Sequence, residues 1–145
     1  NYGAGNLLRL KNICRICLRF IAVSSACIFL SSLLFGPRLV HLFAGSETLL
    51  YDIAAPGFVL FSFSFLFSGM NIFSSATFTA LSNGRISALI SFFRTFGLIM
   101  LCLLILPALI GVNGVWLAVP VAELLTFGVS AYFLHSCREK YSLGG

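Results

Sequence analysis

Residues 115–134 read VWLAVPVAELLTFGVSAYFL, twenty consecutive positions with one charge among them, Glu123. A helix needs about 20 mostly apolar residues to cross the hydrocarbon core of a bilayer, so this stretch reads as a membrane span. The composition of the whole chain agrees. Of 145 residues, 59% are hydrophobic and 9% are charged, and the mean hydropathy is +1.05. An ordinary soluble domain carries about 25% charged residues, so this chain could not cover its surface in water. Sixteen Phe add an apolar payload suited to lipid contact and helix packing. The solvent is a bilayer.

Working outward from that span, three more stretches are long and apolar enough to cross: about 16–35, 53–81 and 87–110. The first is expected to end before Gly36-Pro37. The second is longer than a bilayer requires, so it must tilt, kink or protrude. The third stops at Gly111-Val112-Asn113-Gly114. Between the first two lies PRLVHLFAGSETLLYD, whose Leu39, Val40, Leu42, Phe43, Leu49 and Leu50 alternate with polar residues. It reads as a short interfacial helix lying in the membrane plane. The expected fold is therefore all-α and transmembrane, with four spans plus that segment.

Cations orient the bundle. Arg9, Lys11 and Arg15 precede the first span with Arg19 in its first turn, Arg85 lies at the loop between the second and third with Arg94 on the same side of the third, and Arg138 and Lys140 follow the fourth. Arg38 alone falls on the opposite face. The positive-inside rule then places both ends of the chain in the cytoplasm. The formal charge of +5 marks orientation, with no basic stripe to bind nucleic acid. The first 20 residues carry cations without a continuous apolar run and small-residue cleavage site, so no signal peptide is expected.

Glu123 is the foremost candidate for chemistry. An ionised acid near the bilayer centre costs about 2.5–3.5 kcal/mol on insertion scales, so such residues face a cavity and work; the alternative is a packing hydrogen bond to a neighbouring helix. Pro120, three residues earlier, frees a backbone carbonyl that offers a second ligand for a cation. Asn71 is the next candidate. With Ser68, Ser75 and Thr79 it forms a stripe at helical spacing, which either glues two helices or lines an aqueous path. Met70 and the many Phe offer an adaptable lining for a drug. Arg94, eight residues into the third span, is expected to be a structural anchor that snorkels or pairs with an acid. Asp52 and Glu47 sit at the outer end of the second span, within reach of water.

Two further motifs carry less. Cys14-Arg15-Ile16-Cys17 is a C-x-x-C, and His135 and Cys137 fall at the same end. A zinc site or a redox dithiol is imaginable there, but five scattered Cys in apolar runs read as buried, unreactive thiols. Asn1-Tyr2-Gly3-Ala4-Gly5-Asn6 lacks the third glycine and the preceding strand of a dinucleotide fingerprint. Gly3 and Gly5 read as a turn.

In order and spacing, these pieces resemble the C-terminal part of a multidrug and toxic compound extrusion (MATE) transporter. NYGAGN followed by Arg9 resembles the end of that family's eighth helix. SSATFTALSNGRISALISFFR is similar to its tenth helix, cytoplasmic turn and start of the eleventh, and LPALIGVNGVWLAVPVAELLTF to its eleventh-to-twelfth hairpin. The resemblance implies helices nine to twelve of a twelve-helix, two-lobe carrier, whose upstream part is a necessary partner. It implies export of lipophilic cations across a bacterial or archaeal inner membrane, driven by H+ or Na+, with no other cofactor and no metal. Glu123 and Asn71 are the residues carried over to cavity lining or coupling. A flippase for lipid-linked or polysaccharide precursors is the alternative within the superfamily, and a thiol oxidoreductase using Cys14 and Cys17 is the alternative outside it.

Overall fold

A computed structural model describes residues 3–45 and 47–137; Asn1, Tyr2, Arg138 and Lys140, which bear on the turn and on the orientation of the bundle, lie outside the described residues. Six α-helices follow one another: α1 (Leu7–Ala44), α2 (Thr48–Ser62), α3 (Phe65–Ala80), α4 (Gly84–Phe92), α5 (Leu98–Ile110) and α6 (Val112–Ser136). A π turn, Phe93–Gly97, joins α4 to α5 without interrupting the rod. No strand occurs among the described residues. In hydrocarbon every backbone N–H and C=O must be satisfied within the segment, which leaves the helix as the form for such apolar runs.

Three rods are long and apolar enough to cross a membrane: α1, α4 through α5, and α6. The pair α2 and α3 qualifies together as a fourth, bent by 45°. The bend falls within the long second span, so of tilt, kink and protrusion the kink is the one that forms. At the break the chain tightens to three-residue bonds, Phe63 N to Leu60 O and Ser64 N to Phe61 O. The Ser62 hydroxyl also donates back to the carbonyl of Phe58 at 2.7 Å, a competition known to bend helices.

The interfacial helix expected over PRLVHLFAGSETLLYD does not form. Leu39, Val40 and Phe43 belong to the last turns of α1, which runs through Gly36-Pro37, and Leu49 and Leu50 open α2. Proline forfeits one helical bond, yet ending the helix inside hydrocarbon would strand several backbone groups. Continuing is the lesser cost. Val40, Phe43 and Ala44 then line an apolar groove with Leu50, Ala54 and Phe58 of α2, so this end of α1 packs on α2.

A packed cluster ties the bundle together. At one end Phe78, Leu81 and Ile90 form a buried cluster against Leu10, Ile86, Phe133 and Leu134. The start of α1, the α3–α4 turn and the end of α6 therefore share that end, which collects Arg9, Lys11 and Arg85. Arg38 lies elsewhere, beside Pro37, His41 and Tyr51. The turn Gly3–Gly5 leads into α1, and Asn6 caps it by accepting from Arg9 N at 3.2 Å.

α6 is the hub, packed on α2, α3, α4, the π turn and α5. Its buried face is Gly114, Ala118, Ala122, Thr126 and Ser130, small residues at strict four-residue spacing. Such a ridge lets helix backbones approach closely in lipid. A Cβ at Gly114 would overlap the carbonyl group of Leu106, and one at Gly57 the indole of Trp116. The α5–α6 turn is correspondingly tight: Gly111 alone separates the helices, at φ 65°, a conformation that favours glycine.

Candidate functional site

The site lies where α3, α6 and the π turn meet. Asn71 is fully buried and Glu123 is 4% exposed. Asn71 Nδ2 donates to Glu123 Oε2 at 2.7 Å and to the main-chain oxygen of Glu123 at 2.8 Å. Arg94 Nε donates to the other carboxylate oxygen, Oε1, at 3.1 Å. Both carboxylate oxygens are thus taken by N–H donors from two different helices.

Depth follows from the helix rise of 1.5 Å per residue. Arg94 lies ten residues after Gly84, about 15 Å along its rod, and Glu123 eleven after Val112, about 16 Å along α6. Both values fall near the middle of a hydrocarbon core about 30 Å thick. Arg94 therefore does not snorkel to the end of the bundle; of the two roles expected of it, the structure selects pairing with an acid. Its position on the π turn, closed by Leu98 N to Phe93 O, adds one residue to the rod and rotates everything after it relative to α4. Thr95 reinforces the irregularity by donating to Ser91 O at 2.7 Å.

The remaining candidates take different places. Pro120 is buried in α6 and deprives the Trp116 carbonyl of its helical donor, but the backbone acceptor at the site is that of Glu123. Met70 is half-buried and its carbonyl accepts from Ser74 at 2.8 Å. Asp52 and Glu47 are exposed at the start of α2. The polar stripe divides in two. Ser75 contacts the hydroxyls of Ser87 at 3.0 Å and Ser91 at 2.8 Å, and Thr79 that of Ser87 at 2.7 Å, so this half glues α3 to α4. Asn71 alone turns toward α6. Ser68 bonds its own helix at Ser64 O.

Cys14, Cys17, Cys27, Cys102 and Cys137 are all free, and no group of three His, Cys, Asp or Glu able to hold a metal comes together among the described residues. Cys102 packs with Ala118 and Ala122 between α5 and α6.

Against known proteins, the MatE family model matches residues 1–106. The chain belongs to the MATE family. It is a multi-pass membrane protein of a transporter family, and the matched region carries Asn71 and Arg94 while Glu123 lies beyond it. No curated protein and no solved structure matches the chain. Two features of this MATE protein escape a reading of its sequence. One is that Glu123 is the acid Arg94 pairs with, which depends on which helices become neighbours. The other is the small-residue ridge of α6, whose signal is present in the four-residue spacing from Gly114 to Ser130.

Proposed function

We propose that this MATE protein takes part in exporting lipophilic cations by alternating access, in exchange for inward movement of H+ or Na+, with Glu123 as the acid at which the exchange occurs. Its cation-rich end, with Arg9, Lys11 and Arg85, faces the cytoplasm under this reading. The observation that carries it is the burial of one carboxylate at mid-depth, held between three segments by Asn71 and Arg94. Glu123 is the buried acid among the described residues; Glu47 and Asp52 are exposed. An ionisable side chain buried within a membrane span is a candidate for an ion or substrate pathway.

The test is gradient-driven ethidium efflux from vesicles, wild type against Glu123→Gln, under an imposed proton or sodium gradient. Loss of efflux at equal expression supports the reading, and unchanged efflux moves the coupling site elsewhere. A second reading, a flippase for lipid-linked or polysaccharide precursors, has Arg94 in its favour, since a mid-depth cation suits a phosphate. Against it, that guanidinium is already engaged by Glu123.

A further inference from the structure

Resting on the reading of Glu123 as the exchange site, we infer that Arg94 is a built-in competitor for that site. Its guanidinium stands in for the exported cation whenever neither that cation nor the coupling ion occupies the carboxylate.

Three observations point the same way. First, the carboxylate is positioned without Arg94. Asn71 holds Oε2 and the main-chain oxygen of the same residue, so Glu123 keeps its orientation whichever cation sits on Oε1. Second, the two partners differ in access. The Arg94 side chain is 26% exposed and that of Glu123 is 5%, so the arginine is the partner able to withdraw while the acid stays buried. It does so from a π turn, a form that recurs at functional sites. Third, Arg94 has nowhere distant to go. At about 15 Å along its rod the guanidinium is too deep to reach the end of the bundle, so it remains beside Glu123 at the high effective concentration of a tethered ligand.

A single carboxylate balances one positive charge at a time. An arriving monovalent cation must displace the guanidinium to reach Oε1, and its apparent affinity falls by the fraction of time the site is open. When the cation leaves, Arg94 returns, and the buried acid is never left bare in an apolar surround. Arg94 thereby becomes a specificity-determining residue. It sets how strongly a cation must bind to be carried.

The test is equilibrium dialysis of tetraphenylphosphonium against the purified transporter. Removing the competitor, in Arg94→Gln, is expected to tighten binding about tenfold or more, because the site is then open all the time. Arg94→Lys, which keeps a tethered cation, is expected to bind no more weakly than wild type. Glu123→Gln is expected to lose binding, alone and combined with Arg94→Gln. Equal or weaker binding by a monodisperse Arg94→Gln protein overturns the inference. If that variant does not fold, the lysine variant decides, and weaker binding by it overturns the inference equally. Glu123→Gln binding as tightly as wild type would remove the exchange site itself, and the functional reading with it. Loss of binding in Glu123→Gln with no gain in Arg94→Gln removes only the competitor role of Arg94.

Discussion

Asn71 uses a single nitrogen to hold both the side chain and the main chain of Glu123, at 2.7 Å to Oε2 and 2.8 Å to the backbone oxygen. The amide thereby fixes the acid and the helix that carries it in one contact. Replacement by an isosteric apolar residue takes donors from two buried acceptors at once.

Asn71→Leu should therefore destabilise the fold by more than a packing change of equal volume. The carboxylate oxygen left unmatched costs about 1–3 kcal/mol, while the main-chain oxygen keeps its donor within α6. The expected outcome is a clear drop in thermal midpoint in detergent together with loss of efflux, whereas Ser68→Ala, which loses a bond within its own helix, should leave both near wild type.

Arg94 and Glu123 should behave as a coupled pair. Removing one partner of a buried ion pair costs about 3–5 kcal/mol. Glu123→Gln and Arg94→Gln should each destabilise, and the double variant should be less destabilised than the sum of the two. Unfolding midpoints of the four proteins give the coupling directly; strict additivity would mean that the contact is not energetically linked.

How much of this is legible in the sequence depends on what composition encodes. The four spans are legible because apolar length alone specifies a crossing helix, and Glu123 stands out as one charge in twenty residues. The excess length of 53–81 signals a tilt, a kink or a protrusion, and the structure takes the kink. Pairings between helices are different, since Arg94 and Glu123 are 29 positions apart and only helix order in the bundle brings them together. The tail of α1 misleads because Gly36-Pro37 looks like a stop, and lipid changes that rule by penalising open backbone.

The turn Ser82-Asn83-Gly84 gives a third prediction. Ser82, a non-glycine residue, holds the left-handed position, at φ 59°. Leu81 is buried in the end cluster, so α3 must continue that far, and the next residue takes the reversal. Asn83 N to Phe78 O at 2.8 Å and Ser82 N to Thr79 O at 3.0 Å complete the Schellman bonds. A non-glycine residue there costs about 1–2 kcal/mol. Ser82→Gly should recover about 1 kcal/mol of it, seen as a raised thermal midpoint with unchanged efflux.

Two glycines of α6 should respond oppositely to alanine. At Gly114 the added carbon would meet the backbone of Leu106, which cannot move without opening the α5–α6 hairpin, so folded yield should fall sharply. At Gly128 nothing lies within 4 Å. There alanine should be neutral or stabilise by about 1 kcal/mol through helix propensity. Size-exclusion profiles of the two variants side by side give the comparison.

The break at Phe63–Ser64 and the hydroxyl seam between α3 and α4 together divide the bundle mechanically. Ser75, Thr79, Ser87 and Ser91 bind those two helices along one edge, so they should tilt as a single plate. The bend above them, held by three-residue bonds, is the compliant joint on which such a plate would swing. Asn71 rides on the plate and Glu123 on the hub. Any rocking of one against the other is thus geared to the distance between an amide and a carboxylate, so that opening the bundle and loosening the acid become the same movement.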